Sequence, residues 1–189
     1  GTDGIMKTYW QKVYNKYYWL GSDGAMRTGW QTVYGKKYYL GNANDGAMKT
    51  GWQTVDGKKY YLGNESDGAM KTGWQTVDGK KYYLGNDGAM KTYWQSVDGN
   101  YYWFGTDGVM KTYWQKVYNK YYWLGSDGAM RTGWQKIYGK YYWLGHSNDG
   151  AMKTGWQTIY GKKYYFGGAN DGVMKTGWQK IGGNWYYFG

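Results

Sequence analysis

The sequence predicts an all-β protein, a β-solenoid of nine stacked β-hairpin repeats of 20–22 residues. Three observations carry this. A marker tryptophan returns at Trp10, Trp30, Trp52, Trp74, Trp94, Trp114, Trp134, Trp156 and Trp178, always 20 or 22 residues apart, which is the fixed period of a repeat architecture. Each copy holds two short runs rich in Trp, Tyr, Val and Thr, joined by a two-residue turn. Aromatic residues make up 23% of the chain beside 34 Gly and no Pro, so rings must supply the cement that scarce Leu, Ile and Val cannot.

In the copy around Trp74, one strand is Trp74-Gln75-Thr76-Val77, the turn is Asp78-Gly79, and the second strand is Lys80 to Leu84. Asp-Gly between two such runs signals a tight hairpin, because both turn residues need positive φ. Other copies place Tyr-Gly, Tyr-Asn or Gly-Gly there. A two-residue turn sets Val77 opposite Lys80, Thr76 opposite Lys81, Gln75 opposite Tyr82 and Trp74 opposite Tyr83. Alternation then places Trp74, Thr76, Lys81 and Tyr83 on one face, and Gln75, Val77, Tyr82 and Leu84 on the other. A lone hairpin is barely stable in water, so the copies must stack, and the Tyr–Leu face is assigned to the shared core.

Two-residue insertions such as Asn42 to Asn44 fall just before Asp-Gly and mark an outer loop. Met6 to Gln31 recurs unchanged as Met110 to Gln135, an offset of 104 residues that points to duplication of a five-repeat block. Residues 1–189 read as a single repeat domain. The start inside a motif, at Gly1-Thr2-Asp3-Gly4, reads as a fragment of a larger protein.

Catalysis is not expected. Of 13 acidic residues, nine belong to the Asp-Gly-x-Met loops, Asp56, Asp78 and Asp98 occupy hairpin turns, and only Glu65 stands apart, in an inserted loop. The single His146 also lies in a loop insertion. Neither pattern makes an acid–base pair, a nucleophile with its base, or a metal cluster, and no cofactor is implied. The absence of Cys excludes disulfides and thiolate metal sites. The net charge of +11 favours a polyanionic partner, yet the basic residues recur with the repeat instead of clustering, which argues against a nucleic-acid groove. No apolar run approaches the ~20 residues needed to span a bilayer, so membrane insertion is not expected.

The face carrying the marker Trp is where copies differ. Seven residues after that Trp (position +7), five copies carry an aromatic, Tyr17, Tyr101, Tyr121, Tyr141 and Trp185; four carry Lys37, Lys59, Lys81 and Lys163. Position +9 is always Tyr or Trp, and a Met arrives from the Asp-Gly-x-Met loop before the next hairpin. Such aromatic faces suit a quaternary ammonium, held by ring quadrupoles, or a sugar ring stacked on flat apolar surface. The same rings could instead only bury one another.

Gly-Trp-x-x-x-x-Gly-x-x-Tyr-Tyr-Leu followed by Asp-Gly-x-Met-x-Thr-Gly-Trp resembles the choline-binding (cell-wall-binding) repeats of Gram-positive bacteria and their phages, over essentially the whole chain. The resemblance implies a left-handed solenoid with about three hairpins per turn. It also implies choline cages between consecutive hairpins, which anchor secreted, cell-surface proteins on choline-bearing teichoic acid. It places cages at Trp10, Tyr17, Met26 and Tyr39; at Trp94, Tyr101, Met110 and Trp123; at Trp114, Tyr121, Met130 and Trp143; and at Trp134, Tyr141, Met152 and Tyr165. Lysine at +7 puts a cation in a site meant for one, so those four repeats are expected to bind choline poorly. Tyr9, Tyr93 and Tyr113 depart from the family by replacing the Gly before the marker Trp. The Gln-Thr-Val-Asp-Gly-Lys-Lys-Tyr-Tyr stretch also resembles glucan-binding and clostridial-toxin repeats, which keeps another surface polysaccharide open as the partner. A homodimer through terminal repeats is a further expectation.

Overall fold

The computed structural model describes residues 3–189; Gly1 and Thr2, and the reading of the chain's start that involves them, lie outside the described residues. The chain falls into two compact units, Gly1–Lys91 and Thr92–Gly189. The first unit holds hairpins 1 to 4, at residues 9–20, 30–39, 52–61 and 73–84. The second holds hairpins 5 to 9, at residues 93–104, 113–124, 134–143, 155–166 and 177–188. Each is its own two-stranded antiparallel sheet, and the described residues contain no helix. The all-β repeat architecture therefore holds.

Turn chemistry sets the hairpins as the sequence predicts. Asp78 and Gly79 have φ of 50° and 71°, and Tyr14 and Asn15, the bulkiest such pair, 46° and 63°. The register follows, with Trp74 opposite Tyr83 and Val77 opposite Lys80. The recurring Thr-x-x-Gln has a local cause. The Gln side-chain amide donates to the Thr carbonyl three residues earlier, at 2.8 Å for Gln53 and Thr50, and so ties the loop to the strand it enters.

Within each unit the Tyr–Leu face forms the core. Leu40, Leu62, Leu84, Phe104, Leu124, Leu144 and Phe166 are fully buried, with Val33, Val117, Ile137 and Ile159 close behind. Within each unit, successive hairpins are stitched by backbone. Tyr38 bridges Ala69 and Tyr122 bridges Ala151, so each second strand meets the loop that follows the next hairpin. The loop Asp turns its carboxylate onto the backbone two residues on, as Asp23 accepts from the Ala25 N–H at 3.0 Å. It also pairs with the basic residue four on, as in Arg131–Asp127 at 2.9 Å.

Where a methionine of the preceding loop packs on it, the Gly of the Asp-Gly loop is required twice over. Gly150 has φ of 65°, and a Cβ there would lie 2.3 Å from the Met130 sulfur; Gly46 with Met26 and Gly172 with Met152 repeat the contact. Each methionine thus lies flat against the glycine of the following loop. Gly139, in a hairpin turn, also has positive φ (78°) but open space around it. We therefore expect Gly139→Ala to cost only its backbone strain, of about 1 kcal/mol, and Gly150→Ala to cost more, up to about 3 kcal/mol, because Met130 must also move. Urea denaturation followed by circular dichroism checks this ordering.

Candidate functional site

Stacking places the Trp face of one hairpin against the Tyr–Leu face of the next. The marker Trp therefore meets the +8 Tyr of the following hairpin edge-on. Ring centroids are 5.1 Å apart for Trp10–Tyr38, 5.0 Å for Trp94–Tyr122, 5.1 Å for Trp114–Tyr142 and 5.0 Å for Trp134–Tyr164. The +7 side chain stands on the same face as the marker Trp. Its carbonyl accepts a backbone hydrogen bond from a methionine one loop further on than the next hairpin. Met48 donates to Tyr17, Met130 to Tyr101, Met152 to Tyr121 and Met174 to Tyr141, each at 2.8 Å.

Four cavities result. Trp10, Tyr17, Tyr38 and Met48, with Ser66 and Asp67, enclose about 290 Å³. Trp94, Tyr101, Tyr122 and Met130, with Asn148 and Asp149, enclose about 210 Å³. Trp114, Tyr121, Tyr142 and Met152, with Asn170 and Asp171, enclose about 270 Å³. Trp134, Tyr141, Tyr164 and Met174 line about 250 Å³. Burial first, then the facing loop carboxylate, raises the phenol pKa of Tyr38 (Asp67), Tyr122 (Asp149) and Tyr142 (Asp171). These phenols stay neutral at physiological pH, and an acidic group looks towards each. On the outer side a lysine ammonium lies over the +7 ring, Lys12 at 5.4 Å from the Tyr17 centroid and Lys116 at 5.5 Å from Tyr121.

The structure brings together the first two residues of each expected cage and places the others elsewhere. Trp10 with Tyr17, Trp94 with Tyr101, Trp114 with Tyr121, and Trp134 with Tyr141 share cavities. The +9 rings do not line them. Tyr39 packs on its own Trp30 at 5.1 Å, Trp123 on Trp114 at 5.4 Å, Trp143 on Trp134 at 5.5 Å and Tyr165 on Trp156 at 5.2 Å. Met130 and Met152 enter cavities one hairpin earlier than expected, with Trp94 and Trp114. Met26 and Met110 lie against Gly46 and Gly128. The physical reason is that unlike faces meet in the stack. The neighbour's ring in each cavity comes from its opposite face, which carries +8 and not +9. The +8 tyrosines therefore serve core and cavity together. Their signal in the sequence was constancy: position +8 is Tyr in all nine copies, never Phe.

Two family models tile most of the chain. The choline-binding repeat model matches residues 49–93 and 153–189. The putative cell wall binding repeat model matches 8–26, 28–48, 92–110 and 112–130. A crystal structure of choline binding protein F from Streptococcus pneumoniae, in the presence of a peptidoglycan analogue, is 31% identical. It matches 95% of this chain and 84% of its own, with a TM-score of 0.70. The chain belongs to the choline-binding repeat family. CbpJ from the same organism is 28% identical over 96% of this chain and 85% of its own, TM-score 0.70. The choline-binding domain of its CbpL is 26% identical over 96% and 94%, TM-score 0.66. No curated protein sequence matches the chain.

Not all choline-binding repeats here are open. Lys37, Lys59 and Lys81 fold their ammonium groups over the marker rings of Trp30, Trp52 and Trp74, 4.8, 4.9 and 5.0 Å from the centroids. The surrounding frame is unchanged: Trp30 still meets Tyr60 at 4.9 Å, and Met70 still donates to the Lys37 carbonyl. In these three hairpins an internal cation covers the marker ring. Lys163 lines a wider cleft of about 550 Å³ with Trp156, Tyr186 and Tyr187. The family-atypical Tyr9, Tyr93 and Tyr113 keep the positive φ of the glycines they replace, 61° to 63°, and pack on Trp19, Trp103 and Trp123.

Two outcomes follow for the site. Tyr142→Ala should cost about 3–5 kcal/mol of stability, as for other buried aromatics, and abolish the Trp114 cavity, whereas the more exposed Tyr141→Ala should leave the melting curve nearly unchanged. Lys37→Tyr should remove the internal cation and add one ligand equivalent in a calorimetric choline titration.

Proposed function

We propose that the chain is a non-catalytic cell-wall-binding module whose open cages, at Trp10, Trp94, Trp114 and Trp134, each take one choline trimethylammonium group of a surface teichoic acid. The observation that carries this is the combination in each cavity of two or more ring faces with a methionine and no basic side chain inside. Ring quadrupoles attract a quaternary ammonium by about 0.5–2 kcal/mol per contact, and a thioether adapts to its methyl groups. At 210–290 Å³ the cavities fall below the ~300–1,000 Å³ of drug-sized pockets and suit a small head group.

The Lys12 and Lys116 ammonium groups beside the +7 rings supply partners for the phosphate that adjoins each choline in such a polymer. The net charge of +11 agrees with a zwitterionic phosphopolymer better than with a neutral glucan. In this reading the module is secreted and holds a larger protein at the cell surface, and any chemistry belongs to what it is joined to. Trp178, Trp185 and Tyr187 are about two-thirds exposed and offer an aromatic face to a second copy.

Choline should quench or shift Trp fluorescence at millimolar concentration and elute the chain from a tertiary-amine resin. No response up to ~100 mM, with retention on dextran instead, would overturn the choline reading in favour of glycan stacking.

A further inference from the structure

Three of the cages have a wall that an aromatic box does not need. Asp67, Asp149 and Asp171, each preceded by Ser66, Asn148 or Asn170, line the cavities of Trp10, Trp94 and Trp114. Each pair comes from the loop that follows the second hairpin downstream, and each of these loops carries the two-residue insertion. The hairpins with lysine over the marker Trp show the reverse in sequence. Two hairpins downstream of Lys37, Lys59 and Lys81 the loops are the short form, Asn86-Asp87, Thr106-Asp107 and Ser126-Asp127.

Duplication accounts for part of this, since the 104-residue offset carries hairpin 1 onto hairpin 6 and Asp67 onto Asp171, but not for the pairing of hairpin 5 with Asp149. Hairpins 1 and 6 are sequence copies, but hairpin 5 differs from both at Ser96, Asp98, Gly99, Asn100 and Phe104. The three inserted loops differ among themselves, as Asn64-Glu65-Ser66, His146-Ser147-Asn148 and Gly168-Ala169-Asn170. What they share is their length and a small polar residue before Asp. In the Trp114 cage the loop also reaches the +7 ring directly, the Tyr121 hydroxyl donating to Asn170 Oδ1 at 3.3 Å.

We propose that the inserted loops are ligand-contacting walls, in which the carboxylates of Asp67, Asp149 and Asp171 make the cages of hairpins 1, 5 and 6 select a quaternary ammonium over a neutral group of the same shape. The proposal rests on the cation-cage reading of these cavities. Rings alone hold a tert-butyl group by contact nearly as well as a trimethylammonium, apart from the quadrupole. A carboxylate at the rim adds a formal charge that only the cation feels. The ion pairs with Lys71, Lys153 and Lys175 keep the carboxylates in place and temper that charge without removing it. The loop also fixes the +7 ring where Asn170 holds Tyr121.

The test compares choline with its neutral isostere 3,3-dimethylbutan-1-ol by calorimetric titration of the full chain. The test variant is the triple D67N/D149N/D171N. Asp45→Asn is the matched control: Asp45 has the same ion pair, with Lys49, in an inserted loop that lines none of the cavities described above. The triple variant should bind choline ~3- to 10-fold more weakly at the affected sites and the isostere unchanged, while Asp45→Asn behaves as the parent chain. Deleting Ser147 and Asn148 should weaken both ligands at one site, whereas deleting Ala43 and Asn44 should not. An unchanged choline-to-isostere ratio in the triple variant, or an equal loss in Asp45→Asn, overturns the proposal and leaves choline binding standing. A parent chain that binds no choline overturns both.

Discussion

The edge-to-face contact between a marker Trp and the +8 Tyr of the next hairpin is what everything else leans on. At 4.8 to 5.1 Å it holds two thin hairpins together, since a two-stranded sheet has almost no core of its own. An edge-on pair, unlike a stacked one, leaves the face of one ring uncovered. The same contact that glues the hairpins also borders the cavities, which the marker Trp and the +8 Tyr line together. Stability and binding draw on one set of rings, and the chain separates them only at +7, where the side chain adds little to the stack.

Most of the fold was legible because it follows from short-range rules. A two-residue turn dictates register, and the observed pairing of Trp74 with Tyr83 follows from Asp78-Gly79 alone. Alternation assigned Leu84 and Val117 to the core, where they lie. The cages were half legible. Trp114 and Tyr121 share a face of one hairpin, so period-two reasoning joins them. Which face the neighbour presents is a property of the stack, and nothing local to Tyr142 or Trp143 encodes it. The methionine was displaced for the same reason: Met152 reaches Tyr121 through a backbone bond between elements 31 residues apart, as the positions themselves give.

The backbone at position +7 is held the same way whether it bears Tyr or Lys. The methionine N–H reaches the carbonyl of Tyr17 and of Lys37 alike, at 2.8 and 2.7 Å. Lysine there satisfies the indole face internally and keeps the stack intact without a ligand. The cross-strand partner at +2 adjusts to match. Lys12 and Lys116 face Tyr17 and Tyr121, while Thr32 and Thr54 face Lys37 and Lys59, so two ammonium groups are never set directly opposite.

The strained tyrosines belong to the same logic. A tyrosine at positive φ is uncommon and costs backbone energy, yet Tyr9, Tyr93 and Tyr113 accept it where six other hairpins use glycine. Each of the three packs on the +9 Trp of its own hairpin, and in each case that Trp lies against the marker Trp at 5.4 Å. The rings thus form a row from the half-exposed Tyr through the +9 Trp to the marker Trp that lines the cavity. All three strained tyrosines fall in hairpins 1, 5 and 6, whose cavities the inserted loops line.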